Sequence, residues 1–374
     1  MIIQRLFCAI CDNKLNKIFS IDNIPISLCC SYEINTNRSI MSFAQCEKCN
    51  TIQLDKLIEL KLLYSESHNY TSVGEIWDKY FLLFNSKIKN MIKDKTILEI
   101  GCPSGKICLK NDNYNKWYII EPNKNKDIVF NENIIFIESF FHENLVIEES
   151  IDIIIHSHLF EHIYDPNNFL KKCYELLSEG GEMFFGVPTM QHFAETGSGL
   201  FLGIFFEHTI FLNKENITYL LNKNGFSICE IIDYENHSTI YHVKKNNIIN
   251  KIDIEPFYIE NFYENFISGF NKNIEFINKC NSIIENTTKD VYIFGASYST
   301  QILLSLGINT QRIKGILDNN KEKQNKYLFG RELLIYGPEV INNKECVVIL
   351  KMGSYSNEIY KQLKTINNTL EILS

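Results

Sequence analysis

Thr96-Ile-Leu-Glu-Ile-Gly-Cys-Pro-Ser-Gly105 decides how this chain is read. A short apolar run from Thr96 to Ile100 ends in a glycine turn, as a buried strand does when it delivers the backbone to a ligand. Gly101 and Gly105 allow close backbone approach, and a helix beginning after them would favour polar or anionic groups. Trp117-Tyr-Ile-Ile-Glu121 reads as the next strand and ends in an acid. A carboxylate roughly 20 residues past such a turn can accept hydrogen bonds from both ribose hydroxyls. Glu99, Gly101, Gly105 and Glu121 are therefore candidate nucleoside-binding residues, with His158 further along.

Working outward, strands and helices alternate. Ile134 to Ile137 and Ile151 to His156 read as strands, and Asp165-Pro166 caps a helix running to about Leu177. Gly180-Gly181 turns the chain into a strand from Glu182 to Val187. A helix from Asn213 stops at Gly225, and two strand patterns follow, Phe226 to Asp233 and Thr239 to Val243. This order predicts an α/β fold: a doubly wound parallel sheet with an antiparallel pair at one edge. Ahead of it Trp77, Tyr80, Phe81, Phe84 and Ile88 recur at helical spacing and predict a helix over the sheet's entrance. Past a long helical stretch, about 250 to 287, a smaller alternation starts at Asp290 with the turn Gly295-Ala-Ser-Tyr-Ser299. It reads as a truncated Rossmann-type unit.

A dinucleotide needs a third glycine beneath its pyrophosphate. Here Pro103 removes a backbone donor instead, which matters less for a ligand without phosphate. S-adenosylmethionine (SAM) is the expected cofactor. The single glycine before the second unit's helix argues against a dinucleotide there as well.

Two Cys-x-x-Cys pairs, Cys8/Cys11 and Cys46/Cys49, precede these elements. Two such knuckles make a closed tetrahedral site for structural zinc, with no open position for catalysis. Twelve cysteines without a secretory signal point to a reducing compartment, and the cytoplasm is expected. The net charge of -8 argues against nucleic acid as a partner. No apolar run is long enough to span a membrane. The expected layout is a zinc module at 1–62, a cofactor domain at 63–250 and a Rossmann-like substrate domain at 251–374, acting as a monomer or weak dimer.

Chemistry is expected from two further stretches. His156-Ser-His-Leu-Phe-Glu-His162 follows a strand at the edge where open α/β sheets bind ligands. Its residues lack a regular metal-ligand spacing, so a cleft-lining histidine is expected rather than a metal centre. Phe205-Phe-Glu-His208 sets an adjacent acid and imidazole among aromatics, where a base can be tuned toward neutrality.

Taken together, these stretches resemble the three-part nucleotide-sugar C-methyltransferases of bacterial deoxysugar pathways, over nearly the whole chain. The resemblance implies a keto-sugar substrate, deprotonated beside its carbonyl to an enolate that takes the methyl group. It implies Tyr70, His162, Glu207 and His208 as catalytic residues, with His208 the base oriented by Glu207. It implies His237, Ser238 and Lys323 as substrate contacts. The family's loop tyrosine is Phe205 here, and its Asn-Asp-Gly turn reads Pro103-Ser104-Gly105. Methylation at a sugar oxygen stays open beside methylation at carbon, as does a zinc-stapled sugar-binding or assembly protein without activity.

Overall fold

The computed structural model describes residues 2–26, 30–33, 37–64, 74–102, 105–125, 127–247 and 261–374. Its centre is a seven-stranded sheet. The strands are β1 (Thr96–Ile100), β2 (Lys116–Ile120), β3 (Ile134–Ile137), β4 (Ile151–Ser157), β5 (Leu177–Pro188), β6 (Phe226–Tyr234) and β7 (Ser238–Lys245). They lie in the order β6-β7-β5-β4-β1-β2-β3. β1 pairs in parallel with β2 and β4, while β7 runs antiparallel between β5 and β6. This is the class I SAM-methyltransferase arrangement, a mixed sheet flanked by helices. Between β3 and β4 the chain crosses to the other side of β1. The carboxyl ends of β1 and β4 therefore diverge around a crevice, the natural ligand position in such sheets.

Two local readings change. Among the described residues no α-helix follows the glycine turn before β2; a 3-10 turn, Cys108–Lys110, stands there. The Asn111-Asp-Asn113 run that comes next competes with helix through its side chains. The helix α2 (Pro166–Leu176), capped by Asp165, passes directly into β5. Gly180 and Gly181 are absorbed inside that strand, where the register jumps from Ile151↔Leu177 to Ile153↔Glu182. The glycines make a bulge, not a turn.

Helix α1 (Glu75–Ile88) buries Ile76, Tyr80, Phe84 and Ile88, one residue per turn, against the sheet. Phe84 meets Phe184 edge-on at 4.8 Å. Tyr80 reaches Ser157 at the end of β4, 2.8 Å away.

The C-terminal residues form a second, all-parallel sheet of β8 (Asp290–Phe294), β9 (Ile313–Leu317), β10 (Ile335–Tyr336), β11 (Cys346–Leu350) and β12 (Glu371–Leu373). Its order is β10-β9-β8-β11-β12. Helix α3 (Phe262–Asn286) precedes it, and α4 (Tyr298–Ser305) follows β8 with Ser297 as its N-cap.

An antiparallel sheet of Leu15–Pro25, Arg38–Cys46 and Ile52–Leu54 carries the cysteine knuckles at its ends. Phe19 and Phe43 stack at 4.6 Å and meet Phe266 of α3. Cys30–Ser31 pairs with Tyr327–Leu328, so the N-terminal and C-terminal parts share a strand pair. One apolar core runs through both. Among the described residues no helix is long and apolar enough to cross a membrane.

Candidate active site

Two cavities meet at His162. The first, about 480 Å³, opens where β1 and β2 end and is lined by Gly101, Glu121, Tyr64, Leu159 and His162 among others. Gly101 has φ +76°, and a Cβ there would come within 3.1 Å of Leu159. Glycine is thus required both by the backbone and by the close approach. Glu121 sits at the end of β2 and accepts a hydrogen bond from the Asn123 amide at 2.9 Å. The cavity's walls are mostly apolar (Ile100, Ile120, Phe140, Phe141), with that carboxylate at one end. This lining fits a nucleoside cofactor, whose diol would find an acceptor in Glu121.

The other expected cofactor residues lie elsewhere. Glu99 points into the core, where its Oε2 accepts from the Trp117 indole at 2.8 Å and burial raises its pKa to about 7. Gly105, at φ +61°, shapes the turn and does not line the cavity. His158 faces the second cavity; its Nε2 lies 2.8 Å from Ser238 Oγ and its ring meets Trp77.

The second cavity, about 640 Å³, separates the seven-stranded sheet from the C-terminal one. His162, Glu207 and His208 line it on one side, and Tyr298, Lys323 and Tyr355 on the other. His237 also faces it, bonding Tyr355 Oη through Nε2 at 3.1 Å. Ser238 stands behind, with Oγ 2.6 Å from His237 Nδ1. Lys323 donates to the Ala296 carbonyl at 3.0 Å and pairs with Asp318. Tyr70 lies outside the described residues, as do Pro103 and Ser104. Tyr64, which no sequence motif singles out, places its hydroxyl 3.0 Å from His162 Nδ1.

His208 is held differently from expectation. Its Nδ1 lies 2.8 Å from the Gly203 carbonyl, which can only accept, so Nδ1 carries the proton and Nε2 the lone pair. Glu207 does not orient this ring. Its Oε2 lies 3.6 Å from His162 Nδ1, and its Oε1 accepts from the Tyr298 hydroxyl at 2.5 Å. Burial, then the neighbouring His162, holds His208 well below the usual imidazole pKa, so it is neutral at pH 7.

Beneath these rings sits Glu161, the acid of the His156–His162 stretch. Oε1 of this residue lies 3.6 Å from His158, 3.7 Å from His208 and 3.9 Å from His162. Neither oxygen accepts a hydrogen bond from another described residue, and burial pushes its pKa up to about 8. The irregular spacing argues against a metal here, yet donor atoms of Glu161, His162 and His208 lie within 4.8 Å of one another. A strand end, a loop and a 3-10 turn bring them together, which residue spacing alone does not reveal.

The four knuckle cysteines also converge within 4.8 Å. Cys8 and Cys49 sulfurs are 3.6 Å apart, and Cys11 and Cys46 are 3.4 Å apart. Tetrahedral Zn–S bonds of about 2.3 Å require sulfurs about 3.8 Å apart. The Ile10 and Lys48 amides point at Cys8 and Cys46 sulfurs, as they would toward thiolates. The residues fit a structural zinc ion.

Residues 77–231 match a family model described as a methyltransferase domain, and residues 243–370 match one described as a C-methyltransferase C-terminal domain. Among solved structures the chain is similar to N-methyltransferase NodS from Bradyrhizobium japonicum WM9 in complex with S-adenosyl-L-homocysteine, at 12% identity and a TM-score of 0.36, over 46% of this chain and 88% of that one. It is also similar to an S-adenosylmethionine-dependent methyltransferase from Mesorhizobium loti, at 10% identity and a TM-score of 0.36, over 43% and 96% of the two chains. No curated protein matches. With a methyltransferase domain over residues 77–231 and a C-methyltransferase C-terminal domain over residues 243–370, the chain is an enzyme of the methyltransferase class.

Proposed function

We propose that this enzyme methylates a carbon of a nucleotide-activated keto-sugar, in deoxysugar or surface-polysaccharide biosynthesis. The observation that carries this reading is the position of His162, which lines both the cofactor cavity and the cleft beneath the C-terminal sheet. A methyl group passing between the two must pass beside it. When bound, the cofactor supplies a methyl group on a positively charged sulfur. Everything else falls to the chain's own side chains.

His208 Nε2 is the base that removes the proton next to the sugar carbonyl; its tautomer is fixed by Gly203 and its neutrality by burial. Charge then develops on the carbonyl oxygen. His162, bridged to the Tyr64 hydroxyl, is placed to stabilise it. The mostly apolar cofactor cavity excludes water from the reacting carbon and holds the partners in line. His237 and Lys323 face the sugar or its nucleotide from the rim. The layout we propose is a zinc module at 1–62, a cofactor domain at 63–250 and a substrate domain at 251–374.

The test is incubation of the purified enzyme with methyl-labelled SAM and a panel of keto-sugar nucleotides. Label in the sugar, placed on carbon by NMR, is the expected result. Label on oxygen would replace this reading with O-methylation. No transfer to any sugar nucleotide would overturn it.

A further inference from the structure

The Glu207 loop supplies no phenol of its own, because position 205 is phenylalanine. A different phenol stands there. Tyr298, the first residue of α4, lays its ring flat on Phe205, with centroids 3.8 Å apart and planes 3° from parallel. Its hydroxyl passes beyond that stack and donates to Glu207 Oε1 at 2.5 Å. The residue opens the helix that follows β8 of the C-terminal sheet, and the carboxylate it grips lies in the loop between β5 and β6 of the central sheet.

The turn that delivers Tyr298 is fixed on every side. Gly295 has φ +98°, and a Cβ there would collide with Met352. The Ala296 amide donates to Asp318 at 2.8 Å, and the Ala296 carbonyl accepts from Lys323 at 3.0 Å. Thr300 Oγ1 donates to the Gly295 carbonyl at 2.6 Å, while the Ser297 side chain caps the helix. A ring needed only to fill the interface would require none of this precision at its hydroxyl. Phenylalanine would stack on Phe205 equally well.

We propose that Tyr298 is a positioning residue for methyl transfer: the C-terminal sheet carries its phenol into the cleft, where it holds the Glu207 carboxylate ionised and aimed at His162. The inference rests on the reading of this cleft as the methyl-transfer site. Among the described residues, the titratable groups facing Glu207 are His162, Tyr64, Tyr164 and Tyr298. Of these, Tyr298 comes from the C-terminal sheet. It makes the acid's orientation depend on that sheet being docked.

Tyr298→Phe keeps the stacked ring and deletes only the hydroxyl, so the full-length variant should fold as the parent does. A hydrogen bond to a charged acceptor is lost, and kcat should fall on the order of 10- to 100-fold. Calorimetric affinity for S-adenosylhomocysteine should not change. Without its donor the Glu207 carboxylate gains a proton more readily, so the acid limb of the kcat/KM profile should move to higher pH. Unchanged kcat and an unmoved acid limb would overturn the proposal.

A readout independent of substrate separates this from failure of the methyl-transfer reading. The Glu207 carboxylate band can be assigned by infrared difference against Glu207→Gln and titrated in the parent and in Tyr298→Phe. Its titration should move upward in the variant even if no sugar nucleotide is ever methylated. Coincident titrations would overturn the proposal whatever the substrate proves to be.

Discussion

At the scale of single residues, the chemistry depends on keeping one imidazole neutral and one carboxyl dry. His208→Asn removes the proposed base while asparagine can still bond the Gly203 carbonyl. It should lower kcat by roughly 10²- to 10⁴-fold, the usual contribution of a positioned general base, and leave S-adenosylhomocysteine binding intact by calorimetry. A variant with parental kcat would remove His208 from the mechanism. Glu161 makes a separate prediction about stability. Unfolded, it ionises near 4.5; folded, burial holds it protonated up to about 8. Between those values the unfolded chain has released a proton that the native protein keeps. Stability from this group is therefore full below the lower value and drains away as pH rises to the upper one, by at most about 1.4 kcal/mol per pH unit. Glu161→Gln has no such titration, so across that window its thermal midpoint should decline less than the parent's. Parallel curves for the two proteins would show that Glu161 is not held protonated. How much of this could be read from the sequence follows from what spacing encodes. Glu207, His208 and Glu121 stand out because polar residues interrupt apolar runs at strand ends. Glu161 stands in the polar stretch His156–His162, yet spacing does not reveal that it meets three imidazoles; Tyr64 and Tyr298 carry no such signal, each an ordinary member of a helix or turn until folding sets it against an imidazole or a carboxylate.

At the scale of elements, the strand pattern was readable because buried parallel strands are continuous apolar runs, while the order β6-β7-β5-β4-β1-β2-β3 is set by pairings between distant runs that no local pattern encodes. The readings that changed are those where a glycine or asparagine has two uses. Gly180-Gly181 serves a bulge as readily as a turn, and only the pairing of Ile153 with Glu182 decides between them. Helix α1 offers a direct check on the packing of an element. Its Tyr80 hydroxyl comes down on Gly186 of β5, where any Cβ would land on it. Gly186→Ala must therefore push Tyr80 away from the sheet and break its bond to Ser157, 2.8 Å long in the parent. Overpacking of this kind costs about 1–3 kcal/mol. Denaturant unfolding should show that loss, while Gly180→Ala, where the added atom meets only the end of Lys244 at 3.8 Å, should lose only what its φ of +69° imposes. Equal stability of parent and Gly186→Ala would mean that α1 does not sit tightly on the sheet.

At the scale of the whole molecule, the cysteine module is tied to the active-site loop by backbone. Leu54 donates to the Thr209 carbonyl at 2.9 Å, and Phe211 donates back to Ile52 at 3.0 Å. Buried Arg5 spans the same seam, reaching the Thr209 carbonyl at 3.0 Å and the Tyr164 carbonyl at 2.8 Å. Thr209 follows His208 directly, so the strand edge that the cysteines flank also anchors the backbone beside the proposed base. No local pattern announces this, because the partners are brought together only by the closed chain. The consequence is that metal far from the chemistry should control it. Metal analysis should find about one zinc per chain, as a site of four thiolates requires. Chelation removes the folding energy that so small a module draws from its ion. The midpoint should then fall, amide exchange should quicken at Leu54 and Phe211, whose N–H groups cross the seam, and kcat should drop with it. Restoring zinc should recover all three. A chelated protein with its Leu54 and Phe211 amides still protected and its turnover intact would show that the seam stands without the metal, and that the module is joined to the enzyme but does not brace it.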